Sequence, residues 1–477
     1  MKRTLTAILT LLMLSMVALT SCSKDDDITD GGRGGSEGSG GSGGSGGSTS
    51  TVNRTVILYI SAENNLAGYY TIDNYKGLGS LSNKTAIING SKNIPSTCNV
   101  IAYVDDTSNP YIAQVKDGKS TVVKQYDTDK GNTGDTDGYA TSDERMLDVF
   151  QWIADNYPAD SYATVFWGHG TGPIISNDTI ANTVVKRKAF GLDYGNNTSV
   201  NKTDKAKWMN IPTLAKVMET FKEKIGRKQD FIMFDACLMG NIDVAYEMKD
   251  CADYIMGCPA ETPAVGADYE KMLPVLCQNM SVLPQNVVST YMTGRDLKGG
   301  TTHVYSIPYA YVKTSALPTL MEQTKAALAT ISSLTMTTTY SAYPSGTKAP
   351  MDCIYYLVSE GHKILYDMKD IMRQNLSTTT YQTWLAAFNN AVYAPVITDI
   401  RTIDKDAQYN DNVPFGPSEV GKYNNGRDNF YNFYISTDTY GGISMMIPSS
   451  EYNTTSPCIN TTMYQLKWPN AVGMKKP

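Results

Sequence analysis

Two short blocks in this 477-residue chain carry residue types that can do covalent chemistry. One reads Trp167-Gly168-His169-Gly170-Thr171-Gly172, the other Asp235-Ala236-Cys237-Leu238-Met239-Gly240. A thiol attacks an amide at neutral pH only if a base takes its proton or the thiolate is stabilised, and an imidazole does the first. Glycines around His169 let another backbone approach closely. If a helix starts at Cys237, its amide end favours both a thiolate and an oxyanion there, and the Gly170 amide is the candidate second oxyanion donor. Against this, a lone His more often serves structure than catalysis, and a buried Cys is more often inert. The chain has only three histidines; His303, in an expected strand, and His362, after Gly361 at an expected helix start, both read as structural.

Elements that could bring His169 and Cys237 together are legible around them. Continuous apolar runs at Thr55–Ser61, Asn99–Val104, Ala163–Trp167, Asp230–Phe234 and Asp253–Gly257 predict strands buried on both faces. Helical spacing occurs at Ser142–Asn156, Ile211–Ile225 and Asn241–Lys249. Strand–helix alternation predicts an α/β fold with a mostly parallel sheet flanked by helices. In such a sheet, chemistry gathers beyond the carboxyl ends of the strands. The third run leads into His169 and the fourth into Cys237, so parallel neighbours would place both on one rim. Beyond about Lys313 the pattern changes to helices near Leu317–Leu334 and Ile364–Asn375, Tyr- and Thr-rich loops, and a late strand at Gly441–Ile447. This predicts a core over 53–312 and a mixed C-terminal region over 313–477 packed on it.

The N-terminus points to export. Lys2 and Arg3 precede an apolar stretch from Leu5 to Leu19 and small residues before Cys22, as in a cleaved signal over 1–21. Leu19-Thr20-Ser21-Cys22 resembles the lipobox of bacterial lipoproteins, which implies lipidation of Cys22. Ser23 to Asp27 resembles an acidic surface-export tag, which implies display on the outer membrane. A Gly/Ser-rich tether completes the 22–52 segment. Its Gly40-Gly41-Ser42-Gly43-Gly44 matches a serine-hydrolase pattern but lacks the flanking strand and helix that the motif needs. With Cys22 set aside, the eight cysteines leave an odd seven, so at least one thiol stays free or pairs between chains. Cys98, Cys251, Cys258, Cys277, Cys353 and Cys458 show no zinc-ligand spacing. A net charge of −6 gives no footprint for nucleic acid.

The blocks FWGHGTG and FDACLMGNIDVAYEM and the opening YISAENNL resemble those of the clostripain family of cysteine peptidases, in the caspase-like clan. The likeness spans about Val52 to Tyr309, and the late GISMMIPS resembles the family's C-terminal strand. It implies His169 as catalytic His, Cys237 as nucleophile and Asp235 as the acidic residue selecting a basic P1 side chain. Asp235, two residues before the thiol, could pair with a substrate Lys or Arg; capping the following helix is its other reading. Glu63 stands where members often have Asp. Pro259-Ala260-Glu261-Thr262-Pro263 is only loosely family-like.

A long polar segment from Thr171 to about Asn210 holds Lys186-Arg187-Lys188, then Lys202, Lys205 and Lys207. It reads as a solvated loop, or, since relatives mature by cutting themselves in this region, as a self-processing site near Lys188-Ala189. The expected partners are therefore protein or peptide substrates with Lys or Arg at P1, and a membrane through the lipid. No cofactor or metal is implied, and calcium dependence is not legible. Two other functions fit the residues: a non-catalytic surface lipoprotein binding glycan or host protein, and a transpeptidase on the same scaffold.

Overall fold

The computed structural model describes residues 53–75, 80–126, 138–175, 190–195, 206–294, 307–335, 349–350, 355–359, 362–395, 433–434, 438–450 and 459–476. The expected signal, the expected lipidation site Cys22, the expected tether up to 52, His303 and Lys186-Arg187-Lys188 lie outside them, as do Cys353 and Cys458. Among the described residues no helix is long and apolar enough to cross a membrane.

The apolar runs form the centre of a nine-stranded sheet. Its strands are β1 (Arg54–Ser61), β2 (Cys98–Asp105), β3 (Tyr111–Lys116), β4 (Lys119–Gln125), β5 (Ser161–Trp167), β8 (Gln229–Asp235), β9 (Ala252–Gly257), β10 (Ala310–Lys313) and β14 (Val392–Tyr393). The order is β14-β10-β9-β8-β5-β1-β2-β3-β4. The five central strands β2, β1, β5, β8 and β9 are parallel. The β3–β4 hairpin borders one side and β10 and β14 the other, all antiparallel. Every residue of β1, β5 and β8 is buried. Unbroken apolar sequence has this cause: both faces of these strands are covered.

Among the described residues, the helices over them include α1 (Ala67–Thr71), α2 (Asn83–Gly90), α3 (Asp143–Asn156), α4 (Ile211–Ile225), α5 (Ile242–Glu247), α6 (Tyr269–Leu276), α7 (Leu283–Thr293), α8 (Leu317–Leu328), α9 (Met368–Asn375) and α10 (Thr378–Ala391). On β1 the period of two divides the layers. Ile57 and Tyr59 pack with α3, α4, α5, α8, α9 and α10. Val56, Leu58 and Ile60 pack with α1, α2, α6 and α7. At the amino end of the sheet, buried Arg54 bonds Asp230 at 2.8 Å and the Leu276 carbonyl at 2.9 Å, and a Cys98–Cys277 disulfide ties β2 to the end of α6.

Smaller strands complete the chain: β6 (Phe190–Asp193) with β7 (Lys207–Met209), β11 (Ala349–Pro350) with β15 (Phe433–Tyr434), and β12 (Tyr355–Ser359), β13 (His362–Asp367) and β16 (Ser444–Met446) in a third sheet. Three expectations need correction. His362 begins strand β13, and the helix expected over Ile364–Asn375 starts only at Met368, because Leu365 to Asp367 pair with β16. Asp367 then caps α9 by accepting the Lys369 and Asp370 amides. The segment from Thr171 to Asn210 is not loop throughout, since β6 and β7 form its far end. Finally, α5 begins at Ile242 behind Asn241, which caps it through the Asp243 and Val244 amides; Cys237 lies in a turn ahead of that helix and is not its first residue.

Candidate active site

Parallel pairing of β5 with β8 matches Trp167 to Asp235. His169 and Cys237 are each two residues further on, so equal chain lengths carry them over the same rim. The Gly168 amide donates to the Asp235 carbonyl at 3.3 Å, continuing the pairing past the strand ends. Gly170 then packs directly on the other turn: a β-carbon there would lie 2.4 Å from the Cys237 carbonyl oxygen. Only glycine fits that approach of the two backbones.

His169 is buried, and burial pushes its imidazole down to about 4. Its Nε2 is 2.7 Å from the Asn65 Oδ1. A carbonyl oxygen only accepts, so Nε2 carries the proton and Nδ1 keeps the lone pair. The Trp208 ring, on β7, covers the imidazole at 6.1 Å between centroids. Strand β6 straps the same place from the backbone, with the Gly191 amide donating to the His169 carbonyl at 2.8 Å. Asn65 had no assigned role from the sequence; the available signal was the polar pair Asn64-Asn65 following the central strand, inside the YISAENNL block.

Cys237 is also buried, and its Sγ contacts Thr262: the amide at 3.3 Å and Oγ1 at 3.4 Å. The sequence signalled Thr262 only as part of a loosely matching segment.

Asp235 points into the α6–α7 layer and is buried. Its Oδ2 accepts from Tyr269 Oη at 2.8 Å and the Ala267 amide at 3.0 Å, and its Oδ1 accepts from Tyr291 Oη at 2.6 Å. Each of these donors is neutral. The capping reading falls, since Asn241 caps the helix that follows.

The sequence model of the clostripain family matches residues 58–436. The chain belongs to that family. It is a cysteine-type peptidase, with the α/β fold of solved relatives. One is a secreted C11 cysteine protease from Bacteroides thetaiotaomicron, in complex with an irreversible peptide inhibitor. It has 22% identity and a TM-score of 0.60 over 88% of this chain and 99% of that one. Another, an inactive zymogen C11 protease from Parabacteroides distasonis, has 20% identity and a TM-score of 0.59 over 89% and 99%. No curated protein matches.

One further cluster of this clostripain-family chain lies beside the site. Buried Glu63, Asp105 and Asp193 bring carboxylate oxygens within 4.8 Å of one another, at the ends of β1, β2 and β6. Asp193 also accepts from the Ala140 and Gly195 amides, and Asp105 from Tyr103 Oη. These are oxygen donors of the kind hard divalent cations take.

Proposed function

We propose that this peptidase is an endopeptidase cutting after Lys or Arg, with Cys237 as nucleophile and His169 as base. The equal offset of both residues beyond the paired Trp167 and Asp235 supports this most directly. In this reading Nδ1 of His169 takes the Sγ proton as sulfur attacks the scissile carbonyl, and the Gly170 and Cys237 amides receive the oxyanion. Collapse breaks the C–N bond, the imidazolium returns the proton to the leaving amine, and a thioester remains. Water then attacks with His169 again as base, releasing the acid and the thiol. Asn65 holds the tautomer that leaves Nδ1 as acceptor.

Asp235 supplies the carboxylate for a P1 ammonium or guanidinium. The same preference makes Lys186-Arg187-Lys188 a substrate for self-maturation. Anchoring through Cys22 completes the proposal: the enzyme is displayed on the outer membrane and acts on peptides outside the cell. Fluorogenic peptides ending in Lys, Arg or Asp test it. Cleavage of the first two, abolished in Cys237→Ala, is expected; equal cleavage of the Asp peptide would refute the specificity. Cys22→Ala should release the protein from the membrane fraction, and retention there would refute the anchor.

A further inference from the structure

A buried thiol needs its anionic form stabilised by something close. The start of α5 cannot do it, because Cys237 lies in the turn before Asn241 and the helix has only six residues. Nor does His169 offer a resting positive charge, since burial holds the imidazole neutral. Thr262 touches the sulfur directly, its amide at 3.3 Å and its Oγ1 at 3.4 Å.

That contact is built by the backbone. The Leu238 amide donates to the Ala260 carbonyl at 2.8 Å and the Gly240 amide to the Cys258 carbonyl at 2.7 Å. The turn after the nucleophile thus pairs antiparallel with the segment leaving β9, and continuing the register places Thr262 opposite Ala236, within reach of the neighbouring Cys237 sulfur. The pairing depends on close approach: a β-carbon on Gly240 would lie 2.6 Å from Cys258 and Pro259 backbone atoms. Leu238 accepts a left-handed φ of 63° within the same turn, a strained conformation for a branched residue and one that this pairing holds in place.

We infer that Thr262 is a further catalytic residue, stabilising the Cys237 thiolate through its backbone amide and its hydroxyl. The inference rests on the reading of Cys237 as nucleophile. Thr262 serves both protonation states. The neutral S–H finds acceptors in the Thr262 carbonyl at 3.8 Å and in Oγ1 at 3.4 Å. When the proton leaves Sγ for Nδ1 of His169, the hydroxyl turns to donate, and the sulfur then accepts from Oγ1–H as well as from the amide at 3.3 Å. Hydrogen bonds to a charged acceptor are the stronger kind, so this shell favours the thiolate.

The test is the pH dependence of alkylation of the full chain by iodoacetamide, with modification of Cys237 read by peptide mass and Cys237→Ala as blank. Iodoacetamide has no P1 side chain, so the result is independent of Asp235. Thr262→Val keeps the shape and the amide but loses the hydroxyl. Its midpoint is expected about one pH unit higher, roughly tenfold slower alkylation below the midpoint. Thr262→Ser should stay near wild type. If the valine variant does not fold, Thr262→Ala takes its place with the same expectation. An unchanged profile, faster alkylation without the hydroxyl, or a serine variant as impaired as valine would each overturn the inference. Persistent peptide cleavage by Cys237→Ala would instead refute the nucleophile, on a separate readout.

Discussion

Asn65→Ala is the sharpest perturbation of the proposed base. The 2.7 Å contact from His169 Nε2 to Asn65 Oδ1 is made with a neutral ring at rest and with an imidazolium during attack. A neutral hydrogen bond contributes about 1 kcal/mol net, one to a charged group about 1.5–3 kcal/mol. Asn65 is exposed, so water offers a partial substitute and the lower half of that range applies. Since about 1 kcal/mol is already present at rest, the transition state loses about 0.5–1 kcal/mol more than the ground state, a kcat roughly 2- to 5-fold lower. Because the charge develops after binding, KM should hardly move. Asn65→Asp places a carboxylate on the same ring and should raise the imidazole pKa, shifting the acid limb of kcat upward in pH. Steady-state kinetics on a Lys fluorogenic peptide from pH 5 to 9 check both. If the alanine variant keeps the kcat of wild type, Asn65 does not orient the base.

Asp235→Asn should lower kcat/KM for Lys and Arg peptides by roughly 30-fold or more, as expected when a desolvated charge pair loses one partner; undiminished preference in competition assays would return Asp235 to a structural anchor for Tyr269 and Tyr291. Asp243, fully buried on α5, has no hydrogen-bond partner for Oδ1 among the described residues; burial first, then Glu247, raises its carboxyl from the usual 3.8 to about 7. The folded state therefore holds the proton longer than the unfolded one, and stability is lost as pH rises from about 4 to about 7. Asp243→Asn should gain on wild type over that window, by at most about 4 kcal/mol at pH 8 and little at pH 4; parallel denaturant-derived stabilities at the two pH values would refute this. Wild type should be recovered as two associated fragments, the larger starting near Ala189, while Cys237→Ala remains one chain; an intact wild type with full activity would refute self-maturation.

What the sequence disclosed follows from what was local in it. Strands β1, β5 and β8 were legible because burial on both faces demands unbroken apolar residues, and α3 because Ser142 caps it through the Arg145 amide ahead of a period matched by Met146, Val149, Phe150 and Ile153. The β3–β4 hairpin escaped a search for continuous runs because β4 is largely exposed. Its signal was of another kind: Asp117-Gly118, both with positive φ, between two alternating segments. Strand β13 read as helix although β12 pairs with it from just ahead in the chain; its other partner, β16, is about 80 residues away in sequence, where local spacing does not register it. The same limit hid Asn65 and Thr262. Each acts on its partner across 104 and 25 residues of chain, through contacts that the register of the sheet creates.

The late strand shows how that register reaches the Cys237 turn from its other side. The Ser444 amide donates to the Gly240 carbonyl at 2.9 Å, Asn241 Nδ2 donates to Ser444 Oγ at 2.9 Å, and Asn241 and Ser444 form an isolated parallel bridge. The Gly240 amide is meanwhile engaged by Cys258. One peptide unit pair after Leu238 is therefore bonded on both sides, to the segment beyond β9 and to β16. A left-handed leucine costs about 1–3 kcal/mol and persists only where its surroundings over-determine it, and here the two flanking backbones do so. The resemblance of GISMMIPS to a family strand thus has a physical reason: β16 buttresses the turn that presents Cys237, although some 200 residues separate them.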